Sequence, residues 1–278
     1  MLDVDRVPQH LIDAAYNNKA ACPEWQGWLN EWNEASIEYR KRFASTMNLP
    51  YGTRPRAKMD VFPGLDATAP CMVYIHGGYW QLNSKDIFSV LGNGVASYGW
   101  SVAMIGYTLA PEASLTEIVD EIDRALDWLA ANGSSYNVGP HRIVVGSSAG
   151  GLLAALAASH PSVSAAVTVS GIFELAPLRD TFLNKKLQLT DAEIANLSPL
   201  RRPPVKKPFT LAVGTHELPL VATNSIAFCQ ARRRGGAPSS LIEVPGADHF
   251  SILDELRCSH SALTDAIVDL ARPAPQVM

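Results

Sequence analysis

The chain has 278 residues, of which 47% are hydrophobic and 18% are charged, and its formal net charge is −4. This composition excludes a disordered chain and supplies enough apolar material for a large core. The charge balance lacks the basic excess that nucleic-acid-binding domains usually carry. No stretch approaches the length of about 18 apolar residues that a membrane span needs. We therefore expect no nucleic-acid partner and no membrane partner.

The N-terminus and the cysteines bear on the cellular compartment and on cofactors. The opening residues Met1–Arg6 are acidic and contain no apolar signal-peptide core. No two cysteines have the C-x-x-C spacing of a zinc knuckle or a redox pair, and their dispersal does not suggest a disulfide framework. There is also no H-E-x-x-H motif and no dinucleotide-binding fingerprint. We expect a soluble, cytoplasmic protein with no metal and no organic cofactor.

A helical pattern extends over residues 8–47. Trp25, Trp28 and Trp32 lie on one face of it and form a heavy apolar stripe. We interpret this stripe as the side of a helix that packs on the body of the domain. If the tryptophans proved to be exposed, they would instead suggest a homodimer surface.

From residue 58 onward, short apolar runs alternate with helical patterns. Strands are predicted at 58–62, 72–75, 102–107, 143–145, 166–169, 210–213 and 241–244, and helices at 118–129, 152–158, 221–234 and 262–271. This alternation indicates an α/β fold with a mostly parallel central sheet and helices on both faces. Residues 171–207 interrupt this alternation of strands and helices. We predict a single domain over 1–278, with an N-terminal helical arm (1–50) and a short insert (171–207) near the active site.

The pentapeptide Gly146-Ser147-Ser148-Ala149-Gly150 follows one of these strands directly and precedes a helix rich in small residues. A strand-to-helix turn this tight strains its central residue, and the flanking glycines leave room for it. A phosphate-binding turn would need a lysine or a Gly-x-Gly-x-x-Gly order, and neither is present. The pattern predicts that Ser148 is a nucleophile at the carboxyl end of the sheet.

A serine nucleophile needs a base and a carboxylate that orients the base. On this type of sheet the acid and then the histidine follow the serine in the chain. His249 follows the last predicted strand, and Glu217 is the only carboxylate in the loop after strand 210–213. Asp248 is the alternative acid, but a residue adjacent to the base points elsewhere. We predict Ser148, His249 and Glu217 as the catalytic residues.

The segment His76-Gly77-Gly78-Tyr79-Trp80 follows the strand that ends at residue 75, where lipases and esterases carry an H-G-G-G motif. We predict that the backbone N–H groups of Gly78, Tyr79 and Ala149 form an oxyanion hole. The side chains of Tyr79 and Trp80 are predicted to bind the substrate. We interpret His76 as a residue that braces the loop.

With these motifs the sequence resembles the kynurenine formamidase group of the α/β-hydrolase superfamily, in which the oxyanion loop reads H-G-G-x-W. The resemblance covers most of the chain from about Tyr51 and includes the segments 76–80, 146–150, 170–175, 198–200 and 246–250. It matches the arm less closely, around Tyr16-Asn17-Asn18. The family pattern usually has Asp where this chain has Glu217.

The resemblance implies an α/β-hydrolase fold and a serine hydrolase that cleaves an aryl formamide such as N-formylkynurenine through a formyl-enzyme intermediate. A short-chain carboxylesterase of the hormone-sensitive-lipase kind is the alternative, because ester and anilide hydrolysis use the same catalytic groups. A non-catalytic ligand receptor on this fold typically lacks a member of the triad, whereas all three residues can be assigned here.

Overall fold

The structure is a computed structural model that describes residues 8–43 and 46–272, so the opening residues Met1–Arg6 lie outside it. Its centre is an eight-stranded sheet. The strands are Leu49–Pro50 (β1), Lys58–Phe62 (β2), Cys71–Ile75 (β3), Ser101–Ile105 (β4), Arg142–Ser147 (β5), Val163–Val169 (β6), Phe209–Gly214 (β7) and Ser239–Val244 (β8). Across the sheet they follow the order β1-β2-β4-β3-β5-β6-β7-β8. β2 runs antiparallel to β1 and β4, and the other neighbours are parallel, which confirms the predicted sheet.

Helices precede, connect and follow these strands. The α-helices are Gln9–Ala14 (α1), Asn18–Ala21 (α2), Trp25–Lys41 (α3), Asn93–Ala96 (α4), Leu115–Asn132 (α5), Ala149–Ala157 (α6), Asn184–Leu187 (α7), Asp191–Leu197 (α8), Pro219–Arg234 (α9) and Ala262–Asp269 (α10). Shorter 3₁₀ segments lie at Lys85–Gly92, Gly133–Tyr136, Ala176–Asp180, Pro199–Arg201 and Ser251–Arg257.

The arm contains three helices where the sequence pattern suggested one helical stretch over 8–47. α2 begins after Asn17, whose side chain accepts a hydrogen bond from the Ala20 N–H at 3.2 Å. Cys22 is extended, as is usual for a residue that precedes a proline, and Pro23 follows it. This break turns the chain before α3 begins.

The tryptophan stripe packs against the body of the protein, as we interpreted it. Trp32 is fully buried, and its indole N–H donates to Asp254 Oδ1 at 3.2 Å. Its ring lies 6.0 Å from that of Phe88, measured between centroids. Trp25 and Trp28 are half-buried. The exposure that would have suggested a dimer surface is therefore not found.

Side chains of the central strands alternate between the two faces of the sheet, as the two-residue repeat of a strand requires. On β3, Val73 and Ile75 belong to a core cluster whose helical members include residues of α5 and α6. Met72 and Tyr74 belong to a second cluster, which includes residues of α3 and α10. Because helices cover both faces, the strands read as continuous apolar runs in the sequence.

β3 and β5 are neighbours at the point where the chain reverses its direction across the sheet. After β3 the chain adds β4 on one side, and after β5 it adds β6, β7 and β8 on the other. Open α/β sheets bind ligands at the carboxyl ends of the strands at such a switch point. The loops that begin there carry residues 76–80 and Ser148.

A buried charged cluster attaches α3 to the sheet. Asp60 of β2 is fully buried, and its carboxylate lies 2.7 Å from Lys85 Nζ and 3.0 Å from Arg40 Nε of α3. It also accepts the Asn48 N–H at 2.7 Å. Asp86 pairs with Lys85 at 2.8 Å and with Arg40 at 2.7 Å. The arm is therefore held to the sheet by ionic contacts as well as by apolar packing.

The segment 171–207 consists of short helical pieces, among them α7 and α8. It reaches the loop after β3, because Gln81 Nε2 donates to the carbonyl of Leu183 at 2.9 Å. The rings of Phe182 and Tyr79 also meet, with centroids 6.5 Å apart. This segment therefore contacts the loop for which the oxyanion hole was predicted.

Candidate active site

Ser148 occupies the turn between β5 and α6. Its backbone angles are φ 53° and ψ −119°, a conformation that costs energy in a residue with a side chain. Its N–H donates to the carbonyl of Val169 on β6 at 2.8 Å, which holds the turn against the neighbouring strand. The side chain lines a cavity and lies at the N-terminus of α6, where the helix dipole favours negative charge.

Glycines make this turn possible because neighbouring backbone comes very close. A Cβ on Gly146 would lie 2.1 Å from the Gly150 carbonyl oxygen, and a Cβ on Gly150 would lie 2.2 Å from that of Ile75. A Cβ on Gly77 would lie 3.0 Å from Ser148 Cβ. The serine turn and the glycine loop after β3 are thus packed directly against each other.

The loop after β3 has the backbone freedom that the predicted oxyanion hole requires. Gly78 has φ +123°, and a Cβ there would lie 2.4 Å from the Leu82 carbonyl oxygen. Tyr79 also has a positive φ, of 56°. The N–H groups of Gly78, Tyr79 and Ala149 donate to no other group within residues 8–43 and 46–272. They are therefore free to bind an oxyanion, and their catalytic role stays a prediction.

His76 lies beneath this loop in the core. It is fully buried, and its ring stacks on Tyr107 at 4.4 Å and lies parallel to Phe88 at 5.9 Å, measured between centroids. The Tyr107 hydroxyl donates to the His76 carbonyl at 2.8 Å. Burial lowers the pKa of His76 to about 4, so its imidazole is neutral at neutral pH. These contacts fit the bracing role that we inferred for it.

His249 and Glu217 come together from the loops after β8 and β7. His249 Nδ1 lies 2.8 Å from Glu217 Oε2, and the Leu218 N–H donates to Oε1 at 2.8 Å. Burial alone would raise the pKa of Glu217, but the electrostatic attraction of His249 and the hydrogen bonds from His249 and from the Leu218 N–H outweigh it and hold this pKa below its usual value. The ionised carboxylate places the imidazole proton on Nδ1, so Nε2 keeps its lone pair.

Contacts between the two loops fix this pair. The His216 N–H donates to the Ala247 carbonyl at 2.9 Å, and the Thr215 N–H donates to the Val244 carbonyl at 3.0 Å. A Cβ on Gly214 would lie 2.1 Å from the Ala247 oxygen. Because the loops touch along their backbones, the carboxylate and the imidazole are set at hydrogen-bonding distance.

Asp248, the alternative acid, has other partners. Its carboxylate accepts the N–H groups of Phe250 at 2.9 Å and Ser251 at 2.8 Å. The Cys22 thiol of the arm donates to it at 3.0 Å. Burial and this carboxylate raise the pKa of Cys22 to about 12, so the sulfur stays a thiol. Asp248 therefore organises its own loop and binds the arm to it.

One contact in the site was missed by the sequence reasoning. His249 Nε2 lies 3.0 Å from the side-chain nitrogen of Asn18, at the start of α2. Within the part of the chain that the structure describes, Ser148 Oγ makes no hydrogen bond to His249. Such bonds are often formed only once substrate is bound. The sole indication of Asn18 was its place in the weakly matching Tyr16-Asn17-Asn18 segment.

The cavity at Ser148 lies between the sheet loops and the arm. Its lining residues are Lys19, Leu29, Trp32, Gly77, Gly78, Tyr79, Leu82, Asn83, Phe88, Ser147, Ser148, His249, Phe250 and Leu253. Three of them, Lys19, Leu29 and Trp32, belong to the arm. The lining also includes the aromatic side chains of Tyr79, Phe88 and Phe250. The arm is thus part of the wall of the site.

The structure corrects the prediction that Trp80 lines the site. Its side chain is fully buried in the core and is not among the residues that line the cavity. Tyr79 and Trp80 have φ of 56° and 57°, so the loop turns sharply at two successive residues and their side chains diverge. The Trp80 carbonyl accepts the Ala110 N–H at 2.8 Å, which holds this turn. Only Tyr79 of the pair reaches the cavity.

Residues 8–43 and 46–272 contain neither a metal-binding cluster nor a membrane-spanning helix. No group of three or more His, Cys, Asp or Glu side chains there is arranged to hold a metal ion. None of the helices described has the length and apolar character needed to cross a membrane.

Comparisons with known proteins agree with this fold. The family model described as BD-FAE matches residues 59–189. A solved structure of a candidate thioesterase from Silicibacter sp. TM1040 aligns with a TM-score of 0.83 and 27% identity, covering 92% of this chain and 98% of its own. The chain has the α/β-hydrolase fold.

The chain is also similar in sequence to two known hydrolases. It is 28% identical over 240 residues to kynurenine formamidase of Danio rerio, and the alignment spans 81% of each chain. It is 25% identical over 260 residues to the isoprenylcysteine alpha-carbonyl methylesterase ICME of Arabidopsis thaliana. That alignment spans 80% of this chain and 61% of the methylesterase. These findings confirm the resemblance to the kynurenine formamidase group, and they show that the α/β-hydrolase is an enzyme that catalyses hydrolysis.

Proposed function

We propose that this α/β-hydrolase cleaves an aryl formamide, such as N-formylkynurenine, through a serine nucleophile. The observation that carries the proposal is the 2.8 Å contact between His249 Nδ1 and Glu217 Oε2, beside the cavity that Ser148 lines. A nucleophile, a base and an orienting acid are then available in one place. The similarity to kynurenine formamidase of Danio rerio supports the choice of substrate.

In this mechanism Ser148 Oγ attacks the formyl carbon while His249 Nε2 takes its proton. The N–H groups of Gly78, Tyr79 and Ala149 stabilise the negative oxygen of the tetrahedral intermediate. The C–N bond breaks as the proton on Nε2 passes to the nitrogen, and the aryl amine leaves. Water activated by the same histidine then attacks formyl-Ser148 and releases formate. Glu217 orients the imidazole and stabilises its protonated form.

The cavity lining supports an aryl leaving group. The aromatic side chains of Tyr79, Phe88 and Phe250 face the same space, and aromatic pairs contribute about 0.5–1.5 kcal/mol beyond plain burial. Tyr79 therefore keeps the role that we predicted for it, and Phe250 takes the place predicted for Trp80.

A short-chain carboxylesterase is the second candidate. The similarity to ICME of Arabidopsis thaliana favours it, because that relative is a methylesterase. The serine, the histidine and the carboxylate would have the same roles in either reaction. The two candidates differ in the leaving atom and in the acyl group that the site accepts.

The serine mechanism is tested by the variant Ser148→Ala. We expect kcat to fall by about 10⁴-fold or more on every substrate while the protein stays folded. A fluorophosphonate should label the wild-type enzyme stoichiometrically and should not label the variant. If Ser148→Ala kept more than about a tenth of the wild-type activity, the mechanism would be contradicted, because the loss would be far smaller than about 10⁴-fold.

The substrate is tested by comparing kcat/KM on N-formylkynurenine, formanilide, acetanilide and p-nitrophenyl acetate. A tight acyl pocket should favour formanilide over acetanilide by about 10- to 200-fold, which is the usual effect of one added methyl group. Equal turnover of the two anilides, with strong preference for the ester, would support the carboxylesterase instead.

A further inference from the structure

Asn18 has an unsatisfied carbonyl oxygen next to His249. The residue is 3% exposed, and its Oδ1 is buried with no hydrogen-bond partner in the described residues. Buried acceptors are nearly always paired, so an unpaired one on a side chain that contacts His249 calls for an explanation. A donor on a bound ligand would provide it.

The other contacts of Asn18 fix which of its atoms is free. His249 Nδ1 carries its proton toward Glu217, so Nε2 can only accept a hydrogen bond, and the amide nitrogen of Asn18 is the donor at 3.0 Å. The Asn18 N–H donates to Tyr79 Oη at 3.2 Å, and that hydroxyl donates to the Tyr16 carbonyl at 3.0 Å. This part of the arm is therefore tied to the oxyanion loop, and Oδ1 is left for a further donor.

We propose that Asn18 Oδ1 accepts a hydrogen bond from the N–H of the scissile amide and thereby makes the site selective for amides over esters. This inference rests on the proposed function, because it requires that Ser148 and His249 cleave the substrate. The leaving nitrogen must come to His249 Nε2 to be protonated, and Nε2 is the atom that Asn18 already contacts. An ester presents an oxygen at that place and has no hydrogen to donate.

The bond would strengthen during the reaction. As Ser148 Oγ adds to the acyl carbon, its proton moves to Nε2, which then no longer accepts from the Asn18 nitrogen. The leaving nitrogen becomes pyramidal, and its lone pair turns toward the proton on Nε2. When the C–N bond breaks, that lone pair takes the proton, while the original N–H stays bonded and points to Oδ1. An interaction that is strongest at this stage raises kcat.

The test compares three substrates that differ at the leaving atom: formanilide, N-methylformanilide and phenyl formate. Asn18→Leu removes the carboxamide and keeps a side chain of similar size. We expect kcat/KM on formanilide to fall by about 10- to 100-fold, as for the loss of one buried hydrogen bond. On N-methylformanilide and phenyl formate the loss in the variant should be about tenfold smaller than on formanilide, because neither offers an N–H and only the contact of Asn18 with His249 is removed.

The control is Asn17→Ala. Asn17 caps the same helix, and its side chain accepts the Ala20 N–H, so this variant perturbs the arm without touching the site. It should keep the wild-type ratio of formanilide to phenyl formate turnover, and thermal unfolding should show that both variants are folded.

Three results would overturn the proposal. An equal loss on all three substrates would mean that Asn18 only positions His249, and unchanged turnover of formanilide would mean that its oxygen is not used. If the wild-type enzyme cleaved phenyl formate but not formanilide, the proposed function would fail together with this inference. Failure of the inference alone is recognised by normal wild-type turnover of formanilide without the selective loss in Asn18→Leu.

Discussion

Glu217 lies close to His249 in space and Asp248 lies next to it in the chain, and the two carboxylates have different hydrogen-bond partners. Glu217 uses one oxygen for His249 Nδ1 and the other for a backbone N–H, and its side chain is fully buried. Asp248 is adjacent to His249 in sequence but accepts N–H groups of its own loop and the thiol of Cys22. Proximity in the chain thus does not decide which carboxylate bonds His249, whereas position at the end of the preceding strand does.

We expect Glu217→Gln to lower kcat by about 10²- to 10⁴-fold and to leave the fold intact, because the amide favours the wrong tautomer of His249. Asp248→Asn should lower kcat far less, since its contacts hold the loop. Steady-state kinetics of the two variants on one substrate would distinguish them. If Asp248→Asn proved the more damaging, Glu217 would not be the acid.

His76 predicts a pH dependence of stability. Its pKa is about 4 in the folded protein against 6.5 as its ordinary value, because burial disfavours the charged form. Between these values the unfolded chain binds a proton that the folded chain does not, so the free energy of unfolding falls as the pH drops from 6.5 to 4. The loss from this residue levels off below the folded pKa and totals at most about 3 kcal/mol.

Urea unfolding of wild type and His76→Gln at pH 7.5 and at pH 5 measures this dependence. The variant is expected to be less stable overall but to lose less stability between the two pH values, by about 2 kcal/mol. His10→Gln, at an exposed position on α1, is the matched control and should follow the wild type. Equal pH dependence in wild type and His76→Gln would assign the effect to other groups.

The sequence could predict residues whose position follows from the end of a strand. Ser148, Glu217 and His249 follow β5, β7 and β8, and parallel strands bring their carboxyl ends to one edge. It could not predict Asn18, because its contact with His249 joins residues 231 positions apart through the docking of the arm. Nor could it predict where the Trp80 side chain points, since two successive positive φ angles decide that.

At the scale of elements, the β5–α6 turn depends on the absence of side chains. Gly146 and Gly150 face backbone carbonyls that would lie within 2.2 Å of an added Cβ. These carbonyls belong to the helix α6 and to the strand β3 and cannot yield as a flexible side chain can. The constraint therefore lies in the packing of the turn against β3 and its loop, in addition to the strained angles of Ser148.

A pair of glycine variants tests this constraint. Gly150→Ala should destabilise the protein by at least about 1–3 kcal/mol and lower activity, because the new methyl group meets the carbonyl of Ile75. Gly27→Ala lies in α3 with open space around its Cβ, so it should stabilise the protein by about 0.5–1 kcal/mol. Thermal and denaturant unfolding would measure both. A Gly150→Ala protein as stable as the wild type would show that the turn can relax.

Regular elements were predicted better than irregular ones. Most strands read as short apolar runs and the long helix α5 has a clear 3.6-residue period, and the structure contains these elements close to the expected bounds. The 3₁₀ segments Lys85–Gly92 and Ser251–Arg257 were not predicted, because short turns of this kind leave no sustained periodicity. Both contribute to the cluster that covers the cavity side of the sheet.

At the scale of the whole molecule, the arm and the sheet depend on each other. α3 contributes Leu29 and Trp32 to the cavity, and α2 contributes Asn18 to the contacts of His249. The sheet holds α3 through the buried carboxylate of Asp60, which faces Arg40 and Lys85. A loss of this attachment should therefore weaken both the stability of the protein and the binding of its substrate.

Asp60→Ala tests the attachment. Removing one partner of a buried ion pair leaves Lys85 with only the more exposed carboxylate of Asp86, which costs up to about 3–5 kcal/mol of unfolding free energy. Glu38→Ala breaks the exposed pair with Lys41, whose side chains are 72% and 65% exposed, and should cost at most about 1 kcal/mol.

Denaturant unfolding measures the two costs, and KM for the aryl substrate reports on the arm. We expect KM to rise in Asp60→Ala and to stay unchanged in Glu38→Ala, because only the first pair holds the helix that lines the cavity. Similar stability and similar KM in the two variants would mean that apolar packing alone positions the arm.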